Sequence, residues 1–133
     1  CPVEMNSRVI DEFLLIFLVC AVKSKGVSKF KKIGELRNKE TDRLEFADKL
    51  LKKIGIKTKI TKDSFTIYGN PNLNLKKKKY EIKEFDKDHR ACMVSFIAAL
   101  SLGENWIIHD VDSIKTSFPN FISLLKNLGA KIN

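Results

Sequence analysis

Two stretches of this chain repeat each other, and the repeat limits the available folds more than any other feature. Asp11 to Gly26 and Asp88 to Gly103 each run from an acidic start through an apolar helical pattern to a glycine. A short strand-like stretch and a polar loop follow in both copies. Then come Leu50-Leu51-Lys52-Lys53-Ile54-Gly55 in the first copy and Leu124-Leu125-Lys126-Asn127-Leu128-Gly129 in the second. The landmarks are offset by 77 residues from Asp11 to Asp88 and by 74 from Leu50 to Leu124, so the second copy has the shorter loop. Self-similarity at such a period marks stacked supersecondary units, none of which buries its apolar face alone. The units are expected at about 10–69 and 80–133. Because both copies carry apolar helices, the arrangement predicted is α/β, with helices inside and sheets around them.

Local patterns fill in the elements. Ile10 to Lys25 is apolar on most faces and is read as a helix ending at Gly26. Val27 to Ile33 alternates as a half-buried strand does. Glu40 to Ile54 spaces Leu44, Ala47, Leu50, Leu51 and Ile54 at threes and fours, an amphipathic helix closed by Gly55. Short strands follow at 56–60 and 64–68 around a Lys62-Asp63 turn, and a third at 80–85. Asp88 to Leu102 is a second apolar helix, and Trp106 to Ile108 a strand. Ser117 to Leu128 reads as a helix with Ser117 as N-cap and Pro119 in its first turn.

Bulk properties exclude several classes. At 133 residues, 44% of them hydrophobic and 31% charged, the chain has the composition of a soluble folded domain. Its longest apolar run, Phe13 to Val22, falls well short of the roughly 20 residues that span a bilayer. Asp11 and Glu12 stand where a secretory signal would be basic, so no leader is expected. Cys1, Cys20 and Cys92 are odd in number and widely spaced, which fits neither a disulfide framework nor a zinc site and suggests the cytoplasm. The net charge of +9 has two readings, a lysine-rich solvated surface or an anionic partner. The Lys76–Lys79 run follows a turn-rich stretch and lacks interleaved aromatics, so nucleic acid is not the expected partner. The chain starts at Cys1 without an initiator methionine and stops as the second copy would enter its next strands; it is expected to be a fragment.

Candidate chemistry gathers at the helix starts, where unpaired N–H groups and the helix dipole favour anions. These starts hold Asp11-Glu12, Lys39 to Arg43, Asp88-His89-Arg90 and Thr116-Ser117. Acidic residues there are ordinary caps, but an arginine in a first turn opposes the dipole and needs an anion beside it. For Arg43 that anion is either a ligand or a carboxylate, Asp42 or Asp88. Lys39 and Arg43, four apart, are expected on one helix face. Together with Arg90 they would make a clamp suited to phosphate and carboxylate, since guanidinium grips either in a bidentate fork. His89 is read as adjacent to the site, and His109 has no evident partner. No metal cluster, nucleophile–base pair or glycine-rich phosphate loop is present in the sequence.

These segments resemble the signatures of one family. Ile10-Asp11-Glu12-Phe13 is similar to the helix start that carries the catalytic aspartate in 5-enolpyruvylshikimate-3-phosphate synthases. Leu36-Arg37-Asn38-Lys39-Glu40-Thr41-Asp42-Arg43 resembles their Leu-Arg-Val-Lys-Glu-Ser/Thr-Asp-Arg motif, and Asp88-His89-Arg90 their Asp-His-Arg. Thr116-Ser117-Phe118-Pro119 resembles the Thr-Ser-Phe-Pro of many bacterial members. The likeness runs from about Ile10 to Asn133. It implies an inside-out α/β barrel fold of repeated βαβαββ units, of which this chain is part of the C-terminal domain. The implied reaction moves the enolpyruvyl group of phosphoenolpyruvate to the 5-hydroxyl of shikimate 3-phosphate, by addition and elimination, with no metal and no cofactor. By motif, Asp11 would bind the ring hydroxyl and accept its proton, and Glu40 would exchange a proton with the methylene carbon. Lys39 would reach shikimate 3-phosphate, while Arg43 and Arg90 hold phosphoenolpyruvate. His89, Lys115 and Thr116 are further candidates, because Thr116 stands where some members have lysine and Lys115 lies one position earlier. Asn38 replaces the usual valine and Leu14 a common proline. The site would be completed by the missing N-terminal domain of the same enzyme. The alternatives are a UDP-N-acetylglucosamine enolpyruvyl transferase-like protein, a basic nucleic-acid-binding module touching RNA through Lys76–Lys79, and a degenerate remnant.

Overall fold

The computed structural model describes residues 2–3, 13–39, 41–83, 88–109 and 119–132. Their order is β1 (Pro2–Val3), α1 (Phe13–Lys23), β2 (Gly26–Phe30), a 3-10 turn (Gly34–Asn38), α2 (Arg43–Lys53), β3 (Lys57–Ile60) and β4 (Phe65–Gly69). Then come β5 (Lys79–Ile82), α3 (His89–Leu102), β6 (Asn105–Ile108) and α4 (Phe121–Asn127). β1 and β2 pair in parallel around α1, with Val3 opposite Phe30. β5 and β6 pair in parallel around α3, with Tyr80 opposite Trp106. Parallel neighbours need a crossover, and in both places the helix supplies it. The first sheet, ordered β1-β2-β4-β3, adds the antiparallel β3–β4 hairpin.

Aromatic packing joins the first sheet to α1. The Phe17 ring lies 5.4 Å from Phe13, 4.9 Å from Phe30 and 4.9 Å from Phe65, stacked on the first and edge-on to the other two. All four rings are buried, each worth about 1.5–3 kcal/mol of transfer free energy. α1 packs against β4, α2 and α3. Because it is apolar almost all round, it also leaves Leu15 and Val19 exposed. At its C-terminal end β4 passes so close that Gly69 has no room for a side chain. A Cβ there would press into the Ser24 carbonyl oxygen and lie 2.7 Å from that of Cys20.

Several element ends differ from the sequence expectation. Gly26 opens β2 instead of stopping α1, whose last residue is Lys23. β2 stops at Phe30 because the chain turns at Lys32, which takes φ +60°. α2 starts at Arg43, not Glu40, because the Asp42 carboxylate accepts the Glu45 N–H at 3.0 Å and caps the helix there. α3 does end at Gly103, which closes it at φ +78°. α4 starts at Phe121, so Pro119 lies ahead of the helix, and the predicted cap Ser117 falls outside the described residues. Among the described residues no helix is long and apolar enough to cross a membrane.

Candidate active-site wall

One carboxylate joins the two motif segments. Asp88 is fully buried and takes four donors on its two oxygens. Oδ2 accepts Arg43 Nε at 2.8 Å, and Oδ1 accepts Arg43 Nη2 at 3.1 Å. Oδ1 also accepts the backbone N–H of Arg90 at 3.0 Å and of Ala91 at 3.3 Å, which caps α3. Arg43 is the first residue of α2, where its charge opposes the helix dipole, and its side chain is only 3% exposed. Of the partners open to Arg43 in the sequence, the structure thus supplies the carboxylate of Asp88. Breaking such a buried pair by removing one member costs about 3–5 kcal/mol. The first residue of α2 and the cap of α3, 45 residues apart, are held together by this bond.

Asp42, the other candidate carboxylate, is used differently. It caps α2 and accepts Arg37 Nη1 at 2.8 Å. Arg37 also donates Nε to the Lys62 carbonyl at 2.8 Å and Nη2 to the Thr61 carbonyl at 2.6 Å. This staples the loop carrying Lys39 to the β3–β4 turn. The sequence pattern alone assigns no role to Arg37. Its motif position marked it, but two of its three partners are main-chain carbonyls, which no residue pattern reports. On the far side of α2, buried Asp48 accepts Thr58 Oγ1 at 2.6 Å and Lys52 Nζ at 2.9 Å, anchoring α2 to β3.

The expected common helix face of Lys39 and Arg43 does not form. Lys39 closes the 3-10 turn in extended conformation, φ −86° and ψ −172°, ahead of the Asp42 cap and therefore off the helix. Its side chain is half-buried. His89 and Arg90 occupy the first turn of α3, also half-buried. Arg90 is among the residues lining a cleft of about 190 Å³ between α1, α3 and α4, with Leu14, Leu15, Met93, Val94, Ile97 and Phe121. Asp11, Glu40, Lys115 and Thr116 lie outside the described residues. His109, which lacked an evident partner, bonds through Nε2 to Glu81 Oε1 at 2.8 Å, beside the last rung of β5 and β6. That hydrogen bond, helped by the Lys83 charge, holds the Glu81 carboxyl below its ordinary value.

The chain's similarity to known proteins agrees with this geometry. Residues 2–125 match the family described as EPSP synthase (3-phosphoshikimate 1-carboxyvinyltransferase). The chain belongs to the EPSP synthase family. A 3-phosphoshikimate 1-carboxyvinyltransferase from Ruthia magnifica subsp. Calyptogena magnifica is 36% identical over 132 residues, which are 99% of this chain and 29% of that protein. One from Campylobacter jejuni subsp. doylei is 41% identical over 125 residues, 94% of this chain and 27% of the relative. The solved EPSP synthase of Acinetobacter baumannii superposes with a TM-score of 0.83 at 29% identity, over 99% of this chain and 31% of that one. An enolpyruvyl transferase from Streptomyces tendae shares the fold alone, with a TM-score of 0.70 at 18% identity, over 100% of this chain and 28% of that one. The chain therefore spans less than a third of the length of the relatives it matches. It has the inside-out α/β fold of the EPSP synthase family and forms part of a domain.

Proposed function

We propose that this chain forms one wall of an active site that transfers the enolpyruvyl group of phosphoenolpyruvate to the 5-hydroxyl of shikimate 3-phosphate, with release of phosphate. The observation that carries the reading is the Asp88 bridge. It brings the Lys39-to-Arg43 and Asp88-to-Arg90 segments, which resemble two signatures of the EPSP synthase family, into one place. Both substrates are small polyanions, and a wall bearing Lys39, Arg43 and Arg90 offers groups of the charge and geometry to hold them. Asp11 and Glu40 are assigned as proton acceptor and proton-exchange group, acid–base roles that need separate environments. His89, Lys115 and Thr116 are assigned as further candidates for substrate contact, and the main grip on shikimate 3-phosphate is assigned to the other domain of the complete enzyme, working in the cytoplasm.

The test is phosphate release from phosphoenolpyruvate and shikimate 3-phosphate. The complete enzyme should turn over and the 133-residue chain alone should not. Arg90→Ala in the complete enzyme should raise the KM for phosphoenolpyruvate by about 100-fold, the loss of a charge-assisted bond worth about 1.5–3 kcal/mol. An unchanged KM would remove Arg90 from the clamp, and turnover by the isolated chain would show that the second wall is not needed.

A further inference from the structure

We infer that Arg37 is a positioning residue for the transfer reaction, fixing the loop that presents Lys39 to shikimate 3-phosphate; this rests on the function proposed above. Each of its three side-chain nitrogens bonds to the protein, to the Asp42 carboxylate and to the Thr61 and Lys62 carbonyls, at 2.6–2.8 Å. Its part is therefore to hold the loop, not to grip a substrate. The turn that receives it is itself bonded across. The Thr61 N–H donates to the Ser64 carbonyl and the Ser64 N–H to Thr61 Oγ1, both at 3.0 Å. The Asp63 carbonyl accepts the Ile33 N–H at 2.9 Å, which fixes the turn against the chain just ahead of Arg37. A guanidinium is planar with its N–H groups in a fixed fork, so these three bonds set one geometry for the hairpin turn, the 3-10 turn and the α2 cap.

Lys39 lies inside the segment that this staple closes, between Arg37 and Asp42. It is in extended conformation, off the helix, so no helical ladder sets its direction. An ammonium has three donors, so half-buried Lys39 can serve a phosphate and a protein partner at once. Two routes lead from Arg37 to the site, one through Lys39 and one through the α2 cap to Arg43. Arg43 has its own anchor in Asp88, and Asp42 keeps its bond from the Glu45 N–H. Loss of Arg37 therefore falls on Lys39.

In the complete enzyme, Arg37→Ala should lower kcat/KM for shikimate 3-phosphate about 100-fold, the scale of a misplacement of about 1 Å. Arg37→Lys keeps the charge but has no fork to meet three partners, and should lose about tenfold. The deciding measurement is a double-mutant cycle with Lys39→Met. Adding Arg37→Ala to Lys39→Met should lower kcat/KM by no more than about twofold further, because the group that Arg37 positions is already gone. A residue that only supports the fold would multiply its loss onto that variant. If the alanine form does not fold, Arg37→Lys carries the same cycle. A single Arg37→Ala variant within about threefold of the unsubstituted enzyme overturns the proposal, as does a double variant whose loss is the product of the singles. If the unsubstituted complete enzyme consumes neither substrate, the functional reading and this proposal fall together. If it turns over normally and the losses multiply, the proposal alone falls.

Discussion

The Arg43–Asp88 pair should show strong, asymmetric coupling in the stability of the chain. Arg43→Met leaves Asp88 buried but still bonded to the N–H groups of Arg90 and Ala91, at the positive end of α3. Asp88→Asn keeps the cap and strips the carboxylate from a guanidinium that is 3% exposed. Losing one partner of a buried pair costs about 3–5 kcal/mol, and the asparagine variant should sit in that range. The methionine variant should be milder by about 1–2 kcal/mol, because the surviving charge keeps charge-assisted bonds. The double variant removes both charges, and replacing such a pair by neutral groups is often close to neutral. Its cost should therefore fall short of the sum of the singles by at least about 3 kcal/mol. Denaturant melts of the four proteins, with a common m-value, measure every term of the cycle. At this chain length each kcal/mol is worth roughly 4 °C, so Asp88→Asn should lower Tm by roughly 12–20 °C. Costs that add to within about 0.5 kcal/mol would mean that the two side chains do not depend on each other, and the account of the bridge would be wrong.

Two further outcomes follow from the structure. Gly69→Ala should destabilise the chain by about 3 kcal/mol, because the new methyl meets the carbonyls of Ser24 and Cys20, which belong to backbone and cannot swing aside; a loss below about 0.5 kcal/mol in a denaturant melt would show that β4 does not approach α1 so closely. Since the folded Glu81 carboxyl is held low, chiefly by the His109 hydrogen bond, its contribution is present above the unfolded-state value and is lost as pH falls through the folded one. The stability difference between wild type and Glu81→Gln should accordingly shrink on the acid side of the ordinary carboxylate range, and a difference that stays constant down that limb would count against the bond.

Much of the local structure was legible because it rests on contacts within a few residues. The spacing of Leu44, Ala47, Leu50, Leu51 and Ile54 defines the buried stripe of α2 without reference to anything else. The hairpin around Lys62-Asp63 announced itself by alternation and a polar turn. The start of α2 was misplaced for an instructive reason. Glu40-Thr41-Asp42 is compatible with a helix, but the Asp42 side chain bonds ahead to Glu45 N–H and so draws the boundary at Arg43. Lys39 consequently leaves the face that simple spacing had given it.

By itself, then, the sequence determined the repeat, the amphipathic stripes and the motif segments that tie the chain to the EPSP synthase family. It also showed that Arg43, a cation in a first turn, needs an anion beside it. Which anion was a tertiary matter. Asp42 is adjacent in sequence and Asp88 is 45 residues away, yet the distant residue takes Arg43 and the near one takes Arg37. Spacing along one helix sets which side chains share a face, whereas a pairing between two helix starts depends on how the helices pack, and only the folded chain brings Asp88 to Arg43.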